Sequence, residues 1–161
     1  MQQLLENFNT LRTEQIAVAA EYEESQSYEM AYIAIWSILE TSLKDITPHA
    51  KKIVLLKKIN EWKNYLEDNG RKPQNKIGSF QCTRSNTIPP ILLIEALLGD
   101  CPIIKEILNT ESKNGSTKWR NKRNKIAHTA EGFQRFETYQ EYKNKLLNVL
   151  DEFARALSSV T

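Results

Sequence analysis

Tyr32, Ile35, Trp36, Leu39, Leu43 and Ile46 recur at steps of three and four residues. On an α-helix that spacing lines six large apolar side chains along one stripe, whereas on a strand it would scatter them over both faces. A stripe of this size leaves water only by packing on other apolar surface. The chain must therefore supply partner helices, and no alternating β pattern competes with that reading.

The partners are legible on both sides. Residues 2–24 hold Leu4, Leu5, Phe8, Leu11, Ile16 and Ala19 at loosely helical spacing, rich in Glu and Gln and free of Gly and Pro, which predicts a first helix. The polar break ESQS follows. The striped helix is expected to end before Pro48, because the residue preceding a proline is pushed out of the α region. Residues 49–68 predict a third amphipathic helix with Ile53, Leu56, Ile59, Trp62 and Leu66 inward, stopped at Asn69-Gly70 by a left-handed cap. Residues 71–89 read as a loop of turn formers and scattered basic residues. PILLIEALLG and PIIKEILNT predict two short helices opening at Pro90 and Pro102, the first ended by Gly99. ESKNGS at 111–116 breaks the chain again. Thr138 and Glu141 have the spacing of a capping box ahead of a long last helix that faces Tyr142, Leu146, Val149, Leu150, Phe153 and Leu157 inward. The expectation is an all-α fold, a single-domain antiparallel helix bundle of about five to seven helices over residues 1–161.

A chain of 161 residues buries roughly 70% of its unfolded surface and folds without covalent staples. Cys82 and Cys101 are isolated, which suits a reducing cytoplasm. The longest apolar run, MAYIAIW at 30–36, is too short to span a bilayer, and the first thirty residues lack the pattern of an export signal, so no membrane association is expected.

Charge is unevenly placed: residues 1–46 carry a net −6, residues 47–129 a net +9 and residues 130–161 a net −1. A basic middle attracts polyanions, although lysine-rich faces also serve plain solubility. There is no glycine-rich phosphate loop, no H-E-x-x-H, no clustered Cys and His and no G-x-S-x-G elbow, so neither a metal nor a cofactor is expected. Six of the thirteen residues from Lys113 to Lys125 are basic and none is acidic, and within this run stand Arg123, Asn124 and His128, reading R-N-x-x-x-H. On a helix Asn124 and His128 share a face, while Arg123 lies about 140° around from His128. A guanidinium suited to phosphate, an amide able to orient a neighbour and an imidazole that moves protons near neutral pH are the parts of a metal-free ribonuclease. The plain alternative is a solvated basic helix whose terminal histidine complements the helix dipole.

RNKIAH after a polar loop, followed by a glycine and a long final helix, with YEMAYIAIWSILETSLKDI near the start, resembles the HEPN superfamily of small all-α domains. The resemblance covers most of the chain in order of elements, and its specific part is the hexapeptide. It implies that Arg123, Asn124 and His128 form a ribonuclease motif, that RNA is cut without a metal, often by toxins or antiviral-defence effectors, and that a homodimer lines one composite cleft. It also implies the chance of an antitoxin or regulatory partner. Ala130 stands where HEPN toxins silenced by a nucleotidyltransferase carry a tyrosine, which speaks against that mode of control.

In similar domains a carboxylate from an earlier helix joins the site. Glu29 and Glu40, eleven residues apart, fall within about 20° of each other around the striped helix, and Glu40 is the favoured one. Lys118, Arg120, Lys122 and Lys125 are candidate RNA contacts. Trp119 is either a platform for base stacking or a core anchor, and His49 has no evident partner and reads as surface. The leading expectation is an endoribonuclease in which Arg123 holds the scissile phosphate and His128 moves a proton as the 2′-OH attacks, leaving a 2′,3′-cyclic phosphate. The alternatives are a non-catalytic RNA-binding or regulatory HEPN domain and an α-helical protein-interaction module.

Overall fold

A computed structural model describes residues 1–68, 90–108, 117–129 and 131–160. The expected stop at Asn69-Gly70, the loop at 71–89, Cys82, the break at 111–116 and Ala130 lie outside the described residues. Among those described there are six helices and no strand: α1 (Gln2–Glu24), α2 (Tyr28–Asp68), α3 (Pro90–Leu98), α4 (Pro102–Leu108), α5 (Thr117–Thr129) and α6 (Phe136–Ser159). The chain is an all-α helix bundle.

α1 ends in a tight motif that reverses the chain. Ser27 N–H bonds the Tyr22 carbonyl at 2.8 Å and Gln26 N–H bonds that of Glu23 at 3.0 Å, with Gln26 in the left-handed region at φ 59°. The returning α2 packs antiparallel on α1. Phe8 meets Phe153 at 5.2 Å and Arg12 pairs with Asp151, while Glu23 accepts hydrogen bonds from Tyr139 and Lys143, so α6 is also antiparallel to α1. Tyr28 stacks on Tyr139 and Tyr32 meets Tyr142 edge-on, which makes α2 and α6 parallel. The inward stripe of α6 is as its spacing predicts, with Tyr142, Leu146, Val149, Leu150, Phe153 and Leu157 all buried. Its start is not: the helix opens at Phe136 with Arg135 as N-cap, so Thr138 and Glu141 sit inside the helix rather than bracketing its first turn.

The two short helices close the far side. Gly99, at φ 77°, bonds back to the Glu95 carbonyl and ends α3, as glycine without a Cβ does at low cost. The Glu152 carboxylate of α6 accepts the Ile103 and Ile104 amides at 3.2 and 2.7 Å and so caps α4. Between them lies Cys101, buried and free, its thiol pushed up by burial and further by Glu152 and Asp100.

The main departure from expectation is that α2 does not stop at Pro48. One helix of 41 residues runs through it. An interior proline costs about 3 kcal/mol because it deletes one backbone bond and crowds the preceding turn. Here Pro48, Lys44 and Asp45 face solvent, while Ile46 and Ala50 are buried on either side and pin both halves. The Thr47 hydroxyl, donating to the Leu43 carbonyl at 2.6 Å, ties the same turn.

The second departure follows from length. At about 1.5 Å per residue, the 41 residues of α2 span roughly 60 Å, against roughly 36 Å for the 24 residues of α6. Among the described residues the bundle ends before α2 does. Residues 31–43 are buried or half-buried throughout and Ile46 and Ala50 are buried, whereas Ile53, Leu56, Ile59 and Leu66, expected inward, are exposed by 40–52% and Trp62 only half-buried. Periodicity marks which face is apolar; it does not say that another element lies opposite. We therefore expect Ile59→Ala to change unfolding free energy by no more than about 0.5 kcal/mol, as at a surface site, instead of the roughly 2–5 kcal/mol of a core truncation. A core-sized loss in chemical denaturation would mean that this face is packed against something in solution.

Candidate functional site

α5 is a basic helix held by two inward residues. Trp119 and Ile126, two turns apart, are each 8% exposed, and every polar side chain between them is thereby turned toward solvent or the helix edges. Trp119 meets Tyr142 of α6 in a T-shaped contact at 4.5 Å, and its carbonyl accepts the Tyr32 hydroxyl at 3.2 Å. Burial, reinforced by Tyr142, holds the Tyr32 phenol far above its usual range, so it remains a neutral donor. These contacts decide between the two readings of Trp119: it is a core anchor, and its ring is not presented to a nucleic-acid base as the RNA-contact reading expected.

The packing of α5 on α2 brings Arg123 to Glu40 across 83 residues of sequence. Arg123 Nη2 donates to both carboxylate oxygens at 2.5 Å, and Nη1 donates to Asn124 Oδ1 at 2.9 Å. Of the five guanidinium protons, the Nε proton and one on Nη1 have no partner among the described residues, and the side chain keeps 26% of its surface in solvent. Glu40 is thus the carboxylate that reaches the motif. Asn124 accepts from Arg123 through its oxygen, and its NH₂ group has no hydrogen-bond partner among the described residues. His128 lies one turn further along the same face, exposed and without a hydrogen bond or ion pair among the described residues.

Glu29 has a different task. Its Oε1 accepts the Phe133 amide at 2.6 Å, and a Cβ at Gly132 would overlap that carboxylate and force it to shift from this position. Lys122 works on the same turn from the other side. Its ammonium donates to the carbonyls of Glu131 and Gly132 at 3.1 and 2.6 Å and sits 4.7 Å over the Phe133 ring. The expected phosphate contact at Lys122 is therefore a structural tie, because those two carbonyls already engage two of its three donors. Lys125 is exposed and paired with Glu131 at 3.1 Å, a weak surface pair that a polyanion can displace. Arg120 is exposed and carries no partner among the described residues, His49 is exposed, and the side chain of Lys118 lies outside the described residues.

Neither Gly132 nor the roles of Glu29 and Lys122 were foreseen. The only signal in the sequence is a glycine shortly after the histidine, which marks a close approach without saying of what. Among the described residues no group of three or more His, Cys, Asp or Glu side chains is placed to hold a metal ion, and no helix is long and apolar enough to cross a membrane. The site can do two things: offer a braced guanidinium with spare donors to an anionic oxygen, and present an unencumbered imidazole one turn away. No protein-family model, no curated protein and no solved structure matches this chain.

Proposed function

We propose that the chain is a metal-independent endoribonuclease of the HEPN type, acting in the cytoplasm as a toxin or antiviral-defence effector. The observation that carries this reading is the run of contacts from Glu40 through Arg123 to Asn124, ending beside an exposed His128. Glu40 holds the guanidinium in one pose, and the two spare donors of Arg123 take a nonbridging phosphate oxygen. His128 exchanges a proton with the RNA as the ribose 2′-OH attacks phosphorus and the 5′ oxygen leaves. The products are a 2′,3′-cyclic phosphate and a 5′-OH. Each chain supplies one such imidazole in the motif, so base and acid are the two His128 residues of a homodimer with a composite cleft, an isologous assembly.

Cleavage of single-stranded RNA is expected to persist in EDTA, because the nucleophile belongs to the RNA and not to a metal-bound water. Mass analysis of the fragments should give cyclic phosphate ends. Activity lost in EDTA and restored by Mg²⁺ would refute this chemistry.

The same ion pair favours a second reading. Glu40 balances the charge of Arg123, which suits a non-catalytic RNA-binding or regulatory HEPN domain; that reading predicts salt-sensitive RNA binding with no cleavage. The exposed apolar side chains of distal α2 favour a third, a helical protein-interaction module, with an antitoxin or regulatory partner as one occupant.

A further inference from the structure

We propose that the groove between α5 and the turn leading into α6 is a nucleotide subsite, which takes one ribonucleotide of a single-stranded RNA with its base edge on Asn121 and Gln134 and its phosphate on Arg135. The identity of the polymer rests on the function proposed above; the subsite rests on the groove.

The groove encloses roughly 600 Å³, within the range of small-ligand sites. Asn121, Lys125, Gly132, Gln134 and Arg135 are among its walls. Asn121, Gln134 and Arg135 make no side-chain hydrogen bond or ion pair among the described residues, whereas the other two cations of the groove are engaged, Lys122 by backbone carbonyls and Lys125 by Glu131. The chain thus leaves one guanidinium and two amides uncommitted in a single concavity. A carboxamide presents a donor and an acceptor side by side, the complement of a base edge and of adenine above all, and a guanidinium complements a phosphate. A simple anion site would have no use for the amides, and an apolar peptide none for the guanidinium.

Two further observations relate the groove to the motif and show how its far wall is held. Asn121, Lys125 and His128 follow at steps of four and three, so the α5 wall of the groove runs along one face of the helix to His128. The opposite wall is fixed from within: Glu29 accepts the Phe133 amide, Gly132 admits the carboxylate, and Lys122 binds the carbonyls of the same turn. A nucleotide seated there meets walls already in place, so little ordering opposes its binding.

The test uses the full chain carrying His128→Ala, to prevent turnover, titrated with AMP and separately with inorganic phosphate while backbone amide resonances are followed. AMP should shift resonances at Asn121, Gln134 and Arg135 saturably. Arg135→Ala should weaken AMP and phosphate alike by about tenfold, and the pair Asn121→Ala with Gln134→Ala should weaken AMP about tenfold while sparing phosphate. All three side chains are exposed, so the variants should fold, which the spectra themselves report. Shifts confined to other surfaces, no saturable shift, or equal loss of both ligands in the amide variant would overturn the subsite. A chain that fails to cut RNA yet binds AMP in the groove keeps this inference and loses the proposed activity. A chain that cuts RNA with no AMP shift in the groove does the reverse.

Discussion

His128→Ala should lower the rate of RNA cleavage by about 10²–10⁴-fold, the range attributed to a positioned acid or base. The unfolding temperature should move by no more than about 2 °C, because an exposed side chain with no partner among the described residues contributes little to stability. Together these outcomes separate a chemical role from a structural one. The composite cleft adds a stricter test. If each site needs one His128 as base and the other as acid, every wild-type chain paired with a His128→Ala chain is silenced, and mixed dimers fall well below half the wild-type rate. Mixed dimers that keep half, or activity in a monomer, would show that the second proton comes from elsewhere. Full cleavage by the His128→Ala homodimer would remove the histidine from the mechanism altogether.

Trp119→Ala should destabilise the fold by about 3–5 kcal/mol, the cost of truncating a large buried aromatic residue. For a chain of this size that is a fall of roughly 6–20 °C in unfolding temperature. The loss has two sources. The ring fills the space between α5 and α6 against Tyr142, and its removal leaves a cavity that rigid neighbouring helices cannot collapse into. The same anchor holds the backbone carbonyl that Tyr32 bonds, so α5 would loosen on α2 and the Arg123 contact with Glu40 with it. Trp119→Phe should recover much of the stability. RNA affinity should decline in Trp119→Ala only as far as the folded fraction declines. An unchanged unfolding temperature with a selective loss of RNA binding would reinstate base stacking at this position.

The extent of α1, the inward stripe of α6 and the glycine stop of α3 were legible because each depends on neighbours three or four residues away, and helix periodicity and caps are local physics. The R-N-x-x-x-H spacing was legible for the same reason, and it placed Asn124 and His128 on one face before any packing was known. Four matters were decided only by tertiary structure. Pro48 reads locally as a stop, yet burial of Ile46 and Ala50 on either side outweighs one lost backbone bond. Ile53, Leu56, Ile59 and Leu66 read as a core face, yet α2 outruns its neighbours among the described residues and these side chains are exposed. Glu29 and Glu40 are nearly equivalent around their helix, and only the three turns of height between them send one to the Phe133 amide and the other to Arg123. Trp119 and Lys122 belong by composition to a basic nucleic-acid face, but helix rotation turns the indole into the core, and the return of the chain at Gly132 draws the ammonium onto backbone carbonyls. Sequence spacing sets the direction in which a side chain leaves its helix; what it meets there depends on contacts between segments more than a hundred residues apart, and no local pattern encodes them.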